Sequence, residues 1–248
     1  MGKLDGKVAV ITGAAQGMGE AHARRFVAEG ARVVLTDVNE ERGRLIAKEL
    51  GDNALFIRHD VTSPADWQQM LRQAESTFGT VTILVNNAGI LGPISGTADL
   101  DEAEYLKVCA VNQHSQFYGM QTVIPSMRRA GGGSIVNISS IAGIVSIVGS
   151  PNLAYVGSKF ASRGMTKHVA VECGPDNIRV NSVHPGYIKT PMMVAATDED
   201  GGGITDQVPL RRMADPDEVS SLVLFLASDD SSYITGQEHV IDGALTAQ

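Results

Sequence analysis

The chain is predicted to fold as one α/β unit, a doubly wound parallel sheet with helices on both faces. Three observations on its 248 residues carry that prediction. Short β-branched runs alternate with longer amphipathic segments almost from end to end, as in successive βαβ units with right-handed crossovers. The runs are continuously apolar, the pattern of strands buried on both faces. No proline- or serine-rich linker divides the chain, and it has no internal repeat beyond the alternation.

The first strand is predicted over Val8 to Thr12, with a helix from about Met18 to Glu29. Between them lies Thr12-Gly13-Ala14-Ala15-Gln16-Gly17-Met18-Gly19. Glycines permit a tight turn and close backbone approach, and the following helix offers free N–H groups and the positive end of its dipole to a pyrophosphate. The Gly-x-x-x-Gly-x-Gly spacing differs from the commoner Gly-x-Gly-x-x-Gly, and a plain glycine-rich turn is the alternative. Gly13, Gln16, Gly17, Met18 and Gly19 are the candidate cradle.

The second strand, Arg32 to Asp37, ends in an acid 18 residues past Gly19, where a carboxylate accepts hydrogen bonds from an adenosine ribose. It would repel a 2′-phosphate, and neither Ala15-Gln16 nor Val38 supplies a compensating cation, so NAD is expected rather than NADP. The alternative for Asp37 is a cap for the helix Glu40 to Leu50. The third strand, Leu55 to Asp60, precedes a helix from Pro64 to Phe78. Asp60 and Val61 are placed to meet an adenine edge; the alternative for Asp60 is a residue that only ends the strand. The fourth strand, Ile83 to Asn86, runs into Asn87-Ala88-Gly89, small residues that let a cofactor lie close while the amides brace neighbouring turns.

A long helix is predicted over Glu102 to Arg129, then a strand over Ser134 to Ser139 and a helix over Leu153 to Glu172. In that last helix Tyr155 and Lys159 share a face one turn apart. A phenol titrates near about 10 and needs a neighbouring positive charge to work as a base. At roughly 5 Å and an effective dielectric of about 20, an ammonium supplies on the order of 3 kcal/mol, or about two pKa units. Alone, such a pair is commonly just helix surface. The sixth strand is predicted over Arg179 to Val183, the last helix over Pro216 to Ala227 and the seventh strand over His239 to Asp242.

The segment Lys189 to Arg212 breaks the rhythm with Met192, Met193, the acidic Asp198-Glu199-Asp200 and three glycines, Gly201 to Gly203. It reads as a mobile flap or as an ordinary surface loop.

Composition narrows the function classes. A formal charge of −8 and the absence of any Lys/Arg block argue against nucleic acid and anionic membrane surfaces. No apolar run is long enough to span a bilayer, and the polar start does not read as a signal peptide, so the cytoplasm is the expected compartment. Two cysteines, Cys109 and Cys173, are too few for a disulfide framework, and no metal-ligand spacing is present, so no metal is expected.

Taken together, the glycine loop Thr12 to Gly19, Asn86-Asn87-Ala88-Gly89, Asn112, Ser139-Ser140, Tyr155 to Lys159 and Pro185-Gly186-Tyr187-Ile188-Lys189-Thr190 resemble the short-chain dehydrogenase/reductase family over essentially the whole chain. The resemblance implies a seven-stranded Rossmann-like fold, commonly a homotetramer, and reversible hydride transfer between a secondary alcohol or ketone and a nicotinamide. Tyr155 would exchange the hydroxyl proton. Lys159 would lower the phenol pKa and hold the nicotinamide ribose, Ser140 would hydrogen-bond the substrate oxygen, and Asn112 would position a water leading from Lys159 to solvent. By the same resemblance Pro185, Gly186, Ile188, Thr190 and Met192 would meet the cofactor. Ser140 is chosen over Ser139 because members ending this strand in Ile-Ser-Ser generally use the second serine. The interval from Ser140 to Tyr155 is longer than the family's usual one, which implies a longer loop within Ser146 to Asn152. For Asn112 the alternative is a buried helical asparagine at a kink, for Pro185-Gly186 a plain turn, and His184 is read as packed rather than catalytic.

The expected substrate walls, Leu91, Ile141, Ser150, Asn152, Tyr187 and Met193, are apolar or weakly polar, which points to a neutral small-molecule alcohol or ketone of alicyclic, aromatic or hydroxysteroid-like character. Two other readings share the scaffold. A 3-oxoacyl carrier-protein reductase would prefer NADP and an acidic partner, against Asp37 and the net charge. A non-catalytic NAD-sensing protein would be expected to lose one of Asn112, Ser140, Tyr155 or Lys159, and all four are present.

Overall fold

A computed structural model describes residues 2–146, 150–196 and 203–247. The strands are β1 (Val8–Thr12), β2 (Arg32–Asp37), β3 (Ala54–Arg58), β4 (Ile83–Asn86), β5 (Gly133–Ile138), β6 (Ile178–Pro185) and β7 (Glu238–Ile241). They form one sheet in the order β3-β2-β1-β4-β5-β6-β7, and every pairing is parallel. The order reverses between β1 and β4, and ligands of open α/β sheets bind outside the carboxyl ends of the strands at such a switch point.

The helices are α1 (Gly17–Ala28), α2 (Glu40–Leu50), α3 (Pro64–Phe78), α4 (Glu102–Cys109), α5 (Ser115–Ala130), α6 (Leu153–Cys173), α7 (Pro191–Ala196) and α8 (Pro216–Ala227). Alternate residues of each strand feed two apolar layers. Ala9 and Ile11 of β1 pack with Phe26 of α1, Ile46 of α2 and Val223 of α8. Val8 and Val10 pack with Trp67 and Met70 of α3, Met120 of α5 and Ala170 of α6. β1 is therefore covered on both sides, as are the other inner strands, which accounts for their unbroken apolar runs, while β7 at the edge is only half-buried.

The structure corrects several expected boundaries. β3 stops at Arg58, so Asp60 lies in the turn beyond it, and β6 runs on to Pro185. The predicted helix 102–129 is interrupted by a π-helical segment, Ala110–His114, which contains buried Asn112. The segment after β6 opens with a helix, α7. Its first turn is capped by Thr190, whose hydroxyl accepts from the Met193 N–H at 3.3 Å, with Pro191 at the helix start. The acidic Asp198, Glu199 and Asp200, with Gly201 and Gly202, lie outside the described residues, as do 147–149 of the Ser140–Tyr155 loop. No described helix is long and apolar enough to cross a membrane.

Candidate active site

Two adjoining cavities open at the carboxyl ends of the strands. The first, about 320 Å³, is lined by Gly13, Gln16, Gly17, Met18, Asp37, Val38, Asp60, Val61, Asn87, Ala88 and Gly89, with Thr190 and Met192 over them. The second, about 380 Å³, holds Ser140 and Tyr155, and Met18, Thr190 and Met192 line both.

The first cavity is built by strand-end turns. Gly13 sits at φ +63°, and a Cβ there would come within 2.9 Å of the Ala88 Cα. A Cβ on Gly19 would lie 2.1 Å from the Gly13 carbonyl oxygen, so Gly19 is required by packing of α1 on the turn and does not itself line the cavity. Asn87 Nδ2 donates to the carbonyls of Thr12 and Gly13 at 2.8 and 3.2 Å, and the Thr12 hydroxyl accepts from the N–H groups of Asn87 and Ala88. The amides after β4 thus brace the glycine turn.

Asp37 is no cap for α2, since Asn39 performs that role by accepting from the Arg42 N–H. The Asp37 carboxylate instead accepts from the Ala15 and Asn39 N–H groups at 3.0 and 2.9 Å, facing the cavity. Asp60 also lines it, but its Oδ1 is engaged by the N–H and hydroxyl of Thr62, so the side chain shapes the turn after β3.

The residues fit a dinucleotide. Side chains cap α2, α3, α4 and α6, whereas Gln16 at the start of α1 makes no capping bond, which leaves that helix's first N–H groups for an anion. Asn87 Oδ1 is buried and without a partner, an acceptor turned to the same region.

Ser140 and Tyr155 both line the second cavity, where the Ser140 hydroxyl accepts from the Ala142 N–H at 3.1 Å. The Ser139 hydroxyl donates to the Lys159 carbonyl at 2.9 Å, tying the end of β5 to α6. His184 of β6 is fully buried between the Ser182 hydroxyl and the Ser140 carbonyl, both at 2.9 Å, and supports Ser140 from behind. Lys159 is buried under Gly89; its Nζ donates to the Ile138 carbonyl at 3.0 Å and lies 5.5 Å from the Tyr155 ring centroid. It lines neither cavity.

Burial pushes the Tyr155 phenol above its ordinary value, and the neighbouring Ser140 side chain offsets only part of that. This corrects the expected depression by Lys159. Burial lowers the lysine itself to about 8, so its ammonium is a weaker stabiliser than a solvated one.

Asn112 Oδ1 accepts from the Ile90 N–H at 2.8 Å, while its Nδ2 donates to the Ile90 carbonyl at 2.9 Å and the Ser158 hydroxyl at 3.2 Å. Its amide satisfies backbone groups next to the cavity, and π-helical segments recur at such places.

Leu91, Ile141, Ser150, Tyr187 and Met193 line the second cavity as expected of substrate walls. Asn152 does not. It caps α6 through the Tyr155 N–H at 3.1 Å and donates to the Leu91 carbonyl at 2.9 Å, because the open start of α6 and a strand-like contact with Ser95 consume it. Pro185, Gly186 and Ile188, expected at the cofactor, lie on the second cavity. Among the described residues every side chain on that wall is uncharged, and Lys189 is turned away to Asp215 at 3.6 Å.

Sequence reasoning missed His59, Ile90, Val111 and Pro191 around the first cavity and Ile94, Ile204 and Gln207 around the second. His59 and Ile90 adjoin recognised strand-end motifs, a signal that would have found them. Val111 and Pro191 likewise adjoin Asn112 and Thr190, and Ile204 and Gln207 fall within Lys189 to Arg212, whereas Ile94 carried no such signal.

Residues 13–246 match a family model described as enoyl-(acyl carrier protein) reductase. The chain is 46% identical over 246 residues to the 3-alpha-(or 20-beta)-hydroxysteroid dehydrogenase of Mycobacterium tuberculosis, covering 99% of this chain and 92% of the relative. It is 41% identical over 254 residues to the NADP-dependent (R)-specific alcohol dehydrogenase of Lentilactobacillus kefiri, covering 99% of each. A crystal structure of a short-chain type dehydrogenase/reductase from Mycobacterium marinum superposes with a TM-score of 0.94 at 36% identity, covering 99% of this chain and 97% of that one.

Proposed function

The chain belongs to the short-chain dehydrogenase/reductase family, and on that premise we propose that it interconverts a neutral, largely apolar secondary alcohol and its ketone with NAD as cofactor. The observation that carries the reading is that Ser140 and Tyr155 share a 380 Å³ cavity whose described lining is uncharged and which adjoins the dinucleotide-sized one.

Bound NAD supplies the acceptor or donor of the hydride. The protein's own part is proton handling and alignment. Ser140 holds the substrate oxygen, and Tyr155 takes its proton during oxidation or returns it during reduction. Lys159 stabilises the phenolate as it forms and passes the proton onward. The glycine turn and the start of α1 hold the pyrophosphate, Asp37 the adenosine ribose. The Asp37 carboxylate disfavours a 2′-phosphate, and the neighbouring Arg42 guanidinium is directed to Glu20 at 3.2 Å. The uncharged wall favours alicyclic and polycyclic substrates over phosphorylated or carboxylated ones. We assign α7 and its flanks the role of a cover over both cavities. Exposed Leu106, Phe117 and Val171 on α4, α5 and α6 support self-association of the chain, for which a homotetramer is proposed.

Initial rates with a panel of cyclic and steroidal alcohols and ketones, with NAD(H) and NADP(H), test the reading through nicotinamide absorbance. Turnover of neutral ring substrates with NAD is expected. Activity confined to phosphorylated or carboxylated substrates would overturn it.

A further inference from the structure

Gln116 of α5 and Ser162 of α6 are 1% and 0% exposed, and both face the centre of the molecule beneath Lys159. The Ser162 hydroxyl donates to Gln116 Oε1 at 2.8 Å. Gln116 Nε2 approaches the Ile138 carbonyl at 3.4 Å, the same oxygen that receives Lys159 Nζ at 3.0 Å. Two apolar side chains would fill this volume without the desolvation of an amide and a hydroxyl, so packing does not account for the pair.

We propose that Gln116 and Ser162 are positioning residues for Lys159. Ser162 orients the amide, and the amide fixes the Ile138 carbonyl that holds the ammonium.

The orientation matters because an amide has two unlike ends. With its oxygen taken by Ser162, Gln116 turns its N–H side toward the carbonyl that Lys159 shares. It steadies that carbonyl without offering the ammonium a second acceptor. Nothing else nearby compensates the charge. Among the described residues no carboxylate pairs with Lys159. Tyr155 faces it from the same helix and His184 from β6, the latter kept neutral by burial. Arg163, one turn along α6, is turned to Glu238 of β7 at 2.8 Å. Asn112 and Gly89 complete the surroundings with neutral groups. Burial lowers Lys159 to about 8, and the pair leaves that lowering unopposed by a second acceptor.

The importance of this device rests on the catalytic reading of Lys159, but its test does not. The ¹³Cε shift of Lys159 in protein labelled with ¹³C-lysine, assigned with a Lys159→Arg variant, reports its titration without substrate or turnover. Ser162→Ala frees the amide to turn its oxygen toward the ammonium, and Gln116→Met removes the N–H dipole at nearly constant volume. Each is expected to raise the Lys159 midpoint by about half a pH unit or more. The alkaline limb of kcat/KM for alcohol oxidation should move the same way. A midpoint unchanged or lowered in the folded Ser162→Ala protein overturns the proposal, and that variant decides alone should Gln116→Met not fold. A wild-type protein that oxidises no alcohol would instead defeat the functional reading, leaving the titration result intact.

Discussion

Ser140 and Tyr155 line one cavity, although fifteen positions separate the two in the chain. Each is held by its own support. Ser140 hangs at the end of β5 between the Ala142 N–H and buried His184. Tyr155 stands in the first turn of α6, whose N–H is capped by Asn152. A substrate oxygen placed against the pair meets two hydroxyls at once.

Ser140→Ala removes one donor from that oxygen while leaving Tyr155 in place. Loss of a single such donor typically costs about 10²–10³ in kcat. Steady-state kinetics should show a fall of that order with little change in NAD affinity. Ser139→Ala, which loses only the bond to the Lys159 carbonyl, should retain far more activity. Equal losses in the two variants would mean that the wrong serine has been chosen.

Asp37 should set cofactor preference. Asp37→Ala releases the Ala15 and Asn39 N–H groups and lifts the repulsion toward a 2′-phosphate. The ratio of kcat/KM for NAD over NADP should drop by about 10-fold or more, roughly 1.4 kcal/mol. An unchanged ratio would remove Asp37 from cofactor selection.

Gly19→Ala would drive a methyl group to 2.1 Å from the Gly13 carbonyl oxygen. Overpacking of backbone costs about 1–3 kcal/mol, so thermal or denaturant unfolding should register destabilisation together with weaker NAD binding. Wild-type stability and affinity would show that the turn tolerates a side chain there.

Stability should fall in mild acid. Burial lowers His22 to about 3 and His59 to about 4. The unfolded chain, with histidines near about 6.5, then binds more protons than the folded one below that pH. The stabilisation is complete above the unfolded value and is lost as pH falls toward the folded one. Between about pH 7 and pH 5 each histidine should account for about 2 kcal/mol of lost stability. His22 bonds to Ser220 through Nδ1 and its Nε2 has no partner. Denaturant titrations of His22→Leu at the two pH values should therefore show a loss about 2 kcal/mol smaller than that of the wild type. An identical loss would assign the acid sensitivity to other groups.

The strands were legible because each lies between two apolar layers and must be apolar on both sides, as Val8 to Thr12 illustrates. Strand-end positions such as Gly13, Asp37 and Asn87 were legible because a parallel sheet brings its carboxyl ends together. Side chains whose partner is set by tertiary packing were not. Asn152 carries the residue type of a substrate contact, yet the open N–H groups of α6 claim it. Asn112 sits in the π-helical segment and meets Ile90, a partner 22 positions away that only tertiary packing brings to it. Gln116 and Ser162 find each other only because α5 and α6 pack on the same face. The pKa direction of Tyr155 was misread because spacing reveals the nearby ammonium and says nothing of burial.

The most direct test of the account is NADH formation from a neutral cyclic secondary alcohol by the wild type and Tyr155→Phe, with NAD binding measured in parallel. Loss of a general acid–base group typically costs about 10²–10⁴ in rate. The account predicts a fall in that range with NAD affinity preserved. Turnover at the wild-type rate by Tyr155→Phe would contradict it.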